Sequence, residues 1–225
     1  MGFAIGGSRT MRELARGGLR RAHPPECAVA AEFTRLWGWD VVPGARAAGG
    51  SCSCGRRGCP TPGAHPLDLD ARLPAGTGPD EVARAWAEVP GASVMLPVGR
   101  AFDILEVSAV VGARALARLE RMGLPSGPVM VTPRGRALFL VAPGAAKELP
   151  RLLYRTGWDH PLALDLTCLG PGAFVTAPPC DHGGEGPVRW LRRPPLDAPV
   201  DPPEARLLVG TLAHLAHRSR RCRDG

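Results

Sequence analysis

The chain has 225 residues, of which 44% are hydrophobic, enough for one sizeable core, and its Gly 29 and Pro 25 promise many turns. No apolar run reaches the roughly 18 residues that a membrane-spanning helix needs, and Met1 to Leu14 lacks the apolar segment and cleavage site of a secretory leader, so a cytoplasmic location is expected. The formal net charge is +7 and Lys147 is the sole lysine. Two readings fit this arginine-rich balance: codon bias with a solvated surface, or a polyanionic partner suited to the guanidinium fork.

Residues 1–25 form a basic arm in which Arg9, Arg12, Arg16, Arg20 and Arg21 interleave with Met11, Leu14 and Leu19. Either a short basic helix or a solvated tail fits. Glu26 to Trp37 is predicted as a helix from the helical spacing of Val29, Phe33, Leu36 and Trp37, stopped by Gly38. Trp39 to Pro43 reads as a short strand.

Between Ser51 and Pro66 runs S-C-S-C-G-R-R-G-C-P-T-P-G-A-H-P. The glycines and prolines forbid regular structure. Cys52, Cys54, Cys59 and His65 supply the three sulfurs and one nitrogen of a closed tetrahedral zinc site. Disulfides would compete with this reading, but a reducing compartment disfavours them. A structural zinc ion is therefore expected, held by a loop spanning 50–66. Cys27, Cys168, Cys180 and Cys222 are scattered and read as buried free thiols.

Thr77-Gly78-Pro79-Asp80-Glu81 starts a helix, with proline in the first turn and two acids complementing the dipole. Val82, Ala85, Trp86 and Val89 form its buried face, and Pro90-Gly91 ends it. Strands are predicted over Ser93 to Val98 and Phe102 to Ser108, a helix over Gly112 to Met122, then strands over Val129 to Thr132 and Ala137 to Val141 around the Pro133-Arg134-Gly135 turn. Pro150 to Tyr154 reads as a helical turn. Leu162 to Cys168, Ala173 to Ala177 and Val188 to Leu191 read as strands. Residues 194–225 are a proline-rich linker followed by a basic C-terminal helix, Glu204 to Arg218. This order predicts an α+β fold, one mostly antiparallel sheet with helices packed on it, in a domain spanning 26–193.

Several local patterns stand in one order: G-W-D-V-V-P, the cysteine–histidine loop, T-G-P-D-E-V-A-R-A-W, P-V-G-R-A-F-D-I-L-E-V-S, V-T-P-R-G-R-A-L-F, A-L-D-L-T and A-F-V-T-A-P-P-C. Over Ala28 to Leu191 the chain resembles the bifunctional DNA primase/polymerase (prim-pol) family of the archaeo-eukaryotic primase superfamily. The resemblance implies a primase-polymerase-type core and a nucleotidyltransferase activity. It also implies an Asp-x-Asp pair and a later Asp that hold divalent metal, and a histidine after the T-P turn that holds the incoming triphosphate. Two metal ions held by such carboxylates activate the primer hydroxyl and stabilise the leaving group.

The chain departs from that pattern where the chemistry lies. Glu106 and Ser108 stand where the resemblance expects the Asp-x-Asp pair, and a serine hydroxyl brings no charge to offset a divalent ion. Ala137 stands where the histidine is expected. Asp165 fits the later acidic position. Asp103 is on the same strand as Glu106, but three residues away and so on the opposite face. Glu106 and Asp165 are thus the candidate catalytic residues, a remnant site for magnesium or manganese. Arg134 and Arg136, on the turn that the resemblance assigns to the triphosphate, are the candidate phosphate or nucleic-acid ligands.

Three functions follow for comparison. The first is an attenuated primase-polymerase-like protein that keeps nucleic-acid (DNA) or nucleotide binding. The second is an active polymerase that uses Glu106 and Asp165 for metal. The third is a regulatory or structural protein without nucleic-acid binding. No G-x4-G-K-[ST] motif occurs, so a helicase or other replication partner would be a separate chain. Glu106→Asp with Ser108→Asp and Ala137→His is expected to increase metal-dependent activity if the ancestor was a polymerase.

Overall fold

The computed structural model of the chain describes residues 25–158, 164–196 and 200–221. The basic arm up to residue 24, Leu162 and Cys222 lie outside the described residues. The elements run α1 (Pro25–Arg35), β1 (Val42–Gly44), β2 (Ala47–Ala48), β3 (Ser51–Cys52), α2 (Pro79–Glu88), β4 (Ser93–Pro97), β5 (Asp103–Ser108) and α3 (Ala109–Arg121). They continue with β6 (Val129–Val131), β7 (Arg136–Val141), α4 (Ala145–Arg155), β8 (Leu166–Leu169), β9 (Phe174–Thr176), β10 (Arg189–Arg192) and α5 (Val209–Arg221). The class is α+β and every strand pairing is antiparallel. Among the described residues no helix is long and apolar enough to cross a membrane.

The single sheet expected from sequence is divided. A three-stranded sheet has the order β1-β4-β9 and a five-stranded one the order β10-β6-β7-β5-β8, with β2 and β3 a separate hairpin. The division has a physical cause in side-chain alternation. On β5, Leu105 and Val107 enter one core with α3, α4 and α5, while Ile104 enters the other core with β4 and α1. On β7, Ala137, Phe139 and Val141 share the helix-side core, and Leu138 and Leu140 face the second sheet. A strand apolar on both faces needs a layer on each side. The second sheet, with Trp39, Trp86 and Phe33 buried around it, is that layer.

The helix at residues 145–155 is longer than the short turn expected near Pro150. Its start is invisible locally, because its N-cap residue Gly144 has a left-handed backbone (φ 97) and no capping side chain of its own. The cap comes from β5 instead: Asp103 Oδ2 accepts hydrogen bonds from Gly144 N at 3.0 Å and Ala146 N at 2.9 Å. Asp103 is fully buried on the helix side of the sheet, so it is structural and faces away from Glu106. The C-terminal helix α5 packs on α3, with Leu212, Ala213 and Ala216 buried.

Candidate functional site

The cysteine–histidine loop is built on a tight hairpin. Gly49 (φ 55) and Gly50 (φ 77) form the two-residue turn between β2 and β3, a geometry that requires positive φ at both positions. This places Cys52 at the hairpin end. His65 returns beside it because Ala45 N donates to the His65 carbonyl at 2.8 Å. The ligand atoms of Cys52, Cys54, Cys59 and His65 all lie within 4.8 Å of one another. His65 Nε2 is 3.3 Å from Cys52 Sγ and 3.4 Å from Cys59 Sγ, while Nδ1 donates to the Pro66 carbonyl at 2.8 Å. That outer contact leaves Nε2 free to ligate, as in most protein metal sites. Burial opposes ionisation of Cys52, but hydrogen bonds from the backbone of Cys54 and Gly63 and from the Cys54 and His65 side chains outweigh it, lowering the thiol to about 6. The cluster therefore fits a metal such as zinc in donor type, number and spacing.

A cleft of about 210 Å³ opens between the two sheets, on the face of β5 and β7 away from α3. Glu106, Arg136 and Leu138 form one wall, Val175 and Thr176 the other, and Arg134 and His182 lie at its edge. The register explains which side chains reach it. Glu106 pairs with Leu138 and Ser108 with Arg136, so these four share one face. Asp165 precedes β8, one step past the Val107–Leu166 pair, beside Ser108.

Glu106 and Asp165 are brought together, but through a guanidinium. Arg136 Nε donates to Glu106 Oε1 at 2.7 Å, and Nη1 reaches Asp165 Oδ1 at 2.8 Å and Oδ2 at 3.0 Å. All three side chains are roughly three-quarters buried, at 26%, 23% and 30% exposure for Arg136, Glu106 and Asp165. Burial works against the charge on Arg136, yet its hydrogen bonds to both carboxylates exceed it and raise its pKa. Magnesium or manganese does not fit this arrangement, because the space between the carboxylates is filled by N–H groups. The Ser108 hydroxyl turns instead to the helix: it accepts from Val111 N at 3.4 Å and caps α3.

Arg134 is also engaged, its Nε 2.7 Å from Glu185 Oε2 at the exposed rim. The position named for the missing histidine lies elsewhere: Ala137 is fully buried on the helix side, where the Gly112 backbone approaches it. An Ala137→His change would not reach the cleft, whereas Leu138 lines it. This corrects the expected restoration.

Sequence reasoning did not single out His182 and Glu185. They sit on a small hairpin, Asp181–Pro187, whose tip is held by the Asp181 carboxylate accepting from Gly184 N and Gly186 N. His182 Nδ1 is 2.9 Å from Thr176 Oγ1. Burial, aided by the positive charge of Arg134, lowers the His182 pKa. Gly183 N in the same hairpin donates to the Gly63 carbonyl at 3.3 Å, which links the metal loop to the cleft rim. The only local signal was a histidine in a glycine-rich turn, D-H-G-G-E-G; the fold is what carries it to β9.

Two antiparallel sheets thus enclose a cleft lined by Glu106 and Arg136, beside a three-cysteine, one-histidine loop, in an α+β chain. The family model described as bifunctional DNA primase/polymerase, N-terminal, matches residues 30–205, and the chain belongs to this family. No individual curated protein and no solved structure matches it.

Proposed function

We propose that the chain is a primase-polymerase-like protein of attenuated catalysis that binds nucleic acid or nucleotide through the inter-sheet cleft and its basic surroundings. The observation that carries the attenuation is Arg136 bridging Glu106 and Asp165. Two-metal transfer requires carboxylate oxygens free to converge on metal, and here both acids are committed to one guanidinium. This arrangement weighs against the active-polymerase alternative.

Binding is supported by family membership, by the net charge of +7 and by the exposed Arg56 and Arg57 on the metal loop. Arg134 and Arg136 are the proposed phosphate-facing residues, with Thr132 and His182 as hydrogen-bonding neighbours. Cys52, Cys54, Cys59 and His65 hold a structural zinc ion in this reading, in a reducing cytoplasm, and any motor or replication partner is a separate chain. A second reading, a regulatory protein without nucleic-acid binding, is favoured by one observation: Arg134 and Arg136 each already have a carboxylate partner.

Fluorescence anisotropy with a labelled primer–template across a salt series separates the two. The first reading predicts binding whose logarithm falls linearly with log salt, with Arg134→Ala reducing the slope by about 1. Absence of binding to single-stranded and primer–template DNA and RNA at low salt would select the regulatory reading.

A further inference from the structure

We propose that Arg136 is a resident replacement for the divalent metal of this family, so that the cleft is closed to divalent cations and opens to one only when the guanidinium is removed. The inference rests on the attenuated reading above and gives it a physical cause.

The geometry is that of a filled cation site. Arg136 approaches Glu106 at 2.7 Å and both oxygens of Asp165 at 2.8 and 3.0 Å. The two shorter distances are those of strong charge-assisted hydrogen bonds, about 2.7–2.9 Å. A divalent ion needs the same oxygens in direct contact, at about 2.0–2.6 Å, with nothing between. To bridge the two carboxylates, it would have to displace the guanidinium from between them and leave it beside a doubly charged ion. Proton loss cannot clear the way, because arginine stays protonated in proteins. The backbone also holds Arg136 in place: its N–H donates to Thr132 Oγ1 at 3.3 Å, and β7 is locked to β5 along its whole length.

The charges explain Ser108. Two carboxylates and one guanidinium leave a net charge of −1, whereas two carboxylates and one divalent ion are neutral. A third carboxylate at 108, directly across from Arg136, would raise the uncompensated charge to −2. A divalent metal tolerates three acids, while a single guanidinium does not balance them. The uncharged residue at 108 and the arginine at 136 are therefore one coupled change, and restoring the acid alone does not restore the metal.

The test is Mn²⁺ binding followed by electron paramagnetic resonance on the zinc-loaded 225-residue chain. It uses wild type, Ser108→Asp, Arg136→Met, Arg136→Met with Ser108→Asp, and that pair with Glu106→Gln. Methionine keeps an unbranched stem and removes the charge. Wild type and Ser108→Asp are expected to leave the free Mn²⁺ signal unchanged. Both Arg136→Met proteins are expected to bind one Mn²⁺ per chain, at least tenfold tighter with Ser108→Asp, and Glu106→Gln to abolish it. Wild-type Mn²⁺ binding that Glu106→Gln removes overturns the proposal. So does a folded Arg136→Met, Ser108→Asp protein that binds none. If the Arg136→Met proteins do not fold, Arg136→Gln, a smaller change that retains a polar head, carries the same two expectations, and the wild-type and Ser108→Asp arms remain decisive. Primer extension on the same wild-type sample keeps the two claims apart. Extension overturns the attenuated reading, whereas Mn²⁺ bound at Glu106 without extension overturns only the role of Arg136.

Discussion

Ser108 and Arg136 face each other across the β5–β7 pair, yet their side chains act in opposite directions. The serine hydroxyl turns to cap α3 through Val111 N, and the guanidinium turns to Glu106 and Asp165. If capping is what Ser108 does, Ser108→Ala should lower stability by about 1 kcal/mol, the usual value of an N-cap. Ser108→Asp, an equally good cap residue, should recover the cap and lose only what its charge costs beside Glu106 and Asp165. Chemical denaturation of the three proteins checks this; an alanine variant as stable as wild type would remove the capping role.

The close approach of α3 to β7 makes a second prediction. A Cβ added at Gly112 would sit 2.2 Å from Ala137 Cβ, far inside contact distance. Gly→Ala in a helix ordinarily gains about 1 kcal/mol, but overpacking costs about 1–3 kcal/mol, and Ala137 Cβ is fixed to a central strand and cannot yield. Gly112→Ala should therefore lower Tm, and adding Ala137→Gly should recover most of the loss. Additive loss in the double variant would contradict the contact.

Much of the fold was legible because the strands are short apolar runs and the helices carry clear stripes. What was not legible depended on distant partners. The start of α4 is capped by Asp103, 41 residues upstream, so the local sequence around Pro150 shows only a turn. The division into two sheets follows from which face of β5 and β7 meets Trp39 and Phe33, a matter of packing across the whole chain. At the site, Glu106 and Asp165 were visible by resemblance, and the structure does bring them together. That Arg136 would bridge them was hidden, because it depends on the β5–β7 register. The same register puts Ala137 on the helix side.

The metal loop should carry one zinc ion per chain. A ligand at a hundred times its Kd stabilises by about 2.7 kcal/mol, a Tm rise of about 5–10 °C for a chain of this size. Elemental analysis and melting curves before and after chelation check both figures. Cys59→Ser should lose the ion. A purified wild-type protein without stoichiometric metal would contradict the site.

His182 should be neutral at pH 7. Burial, and then Arg134, depress its pKa in the folded chain below the ordinary value of about 6.5. The unfolded chain then binds the extra proton first, so stability is full above pH ~6.5 and falls as pH drops toward the depressed folded value. His182→Gln should flatten that fall. Histidine NMR titration provides the direct reading, and a His182 midpoint at or above 6.5 would contradict it.

The central claim is that the carboxylates of Glu106 and Asp165 are both committed to Arg136 and leave too little for nucleotidyl transfer. Primer extension by the zinc-loaded wild-type protein, with manganese and all four deoxynucleotides, tests it most directly. The account predicts no extension above that of a Glu106→Ala, Asp165→Ala control. Extension at ordinary polymerase rates, about 1–10³ per second, that is lost in that control would contradict it.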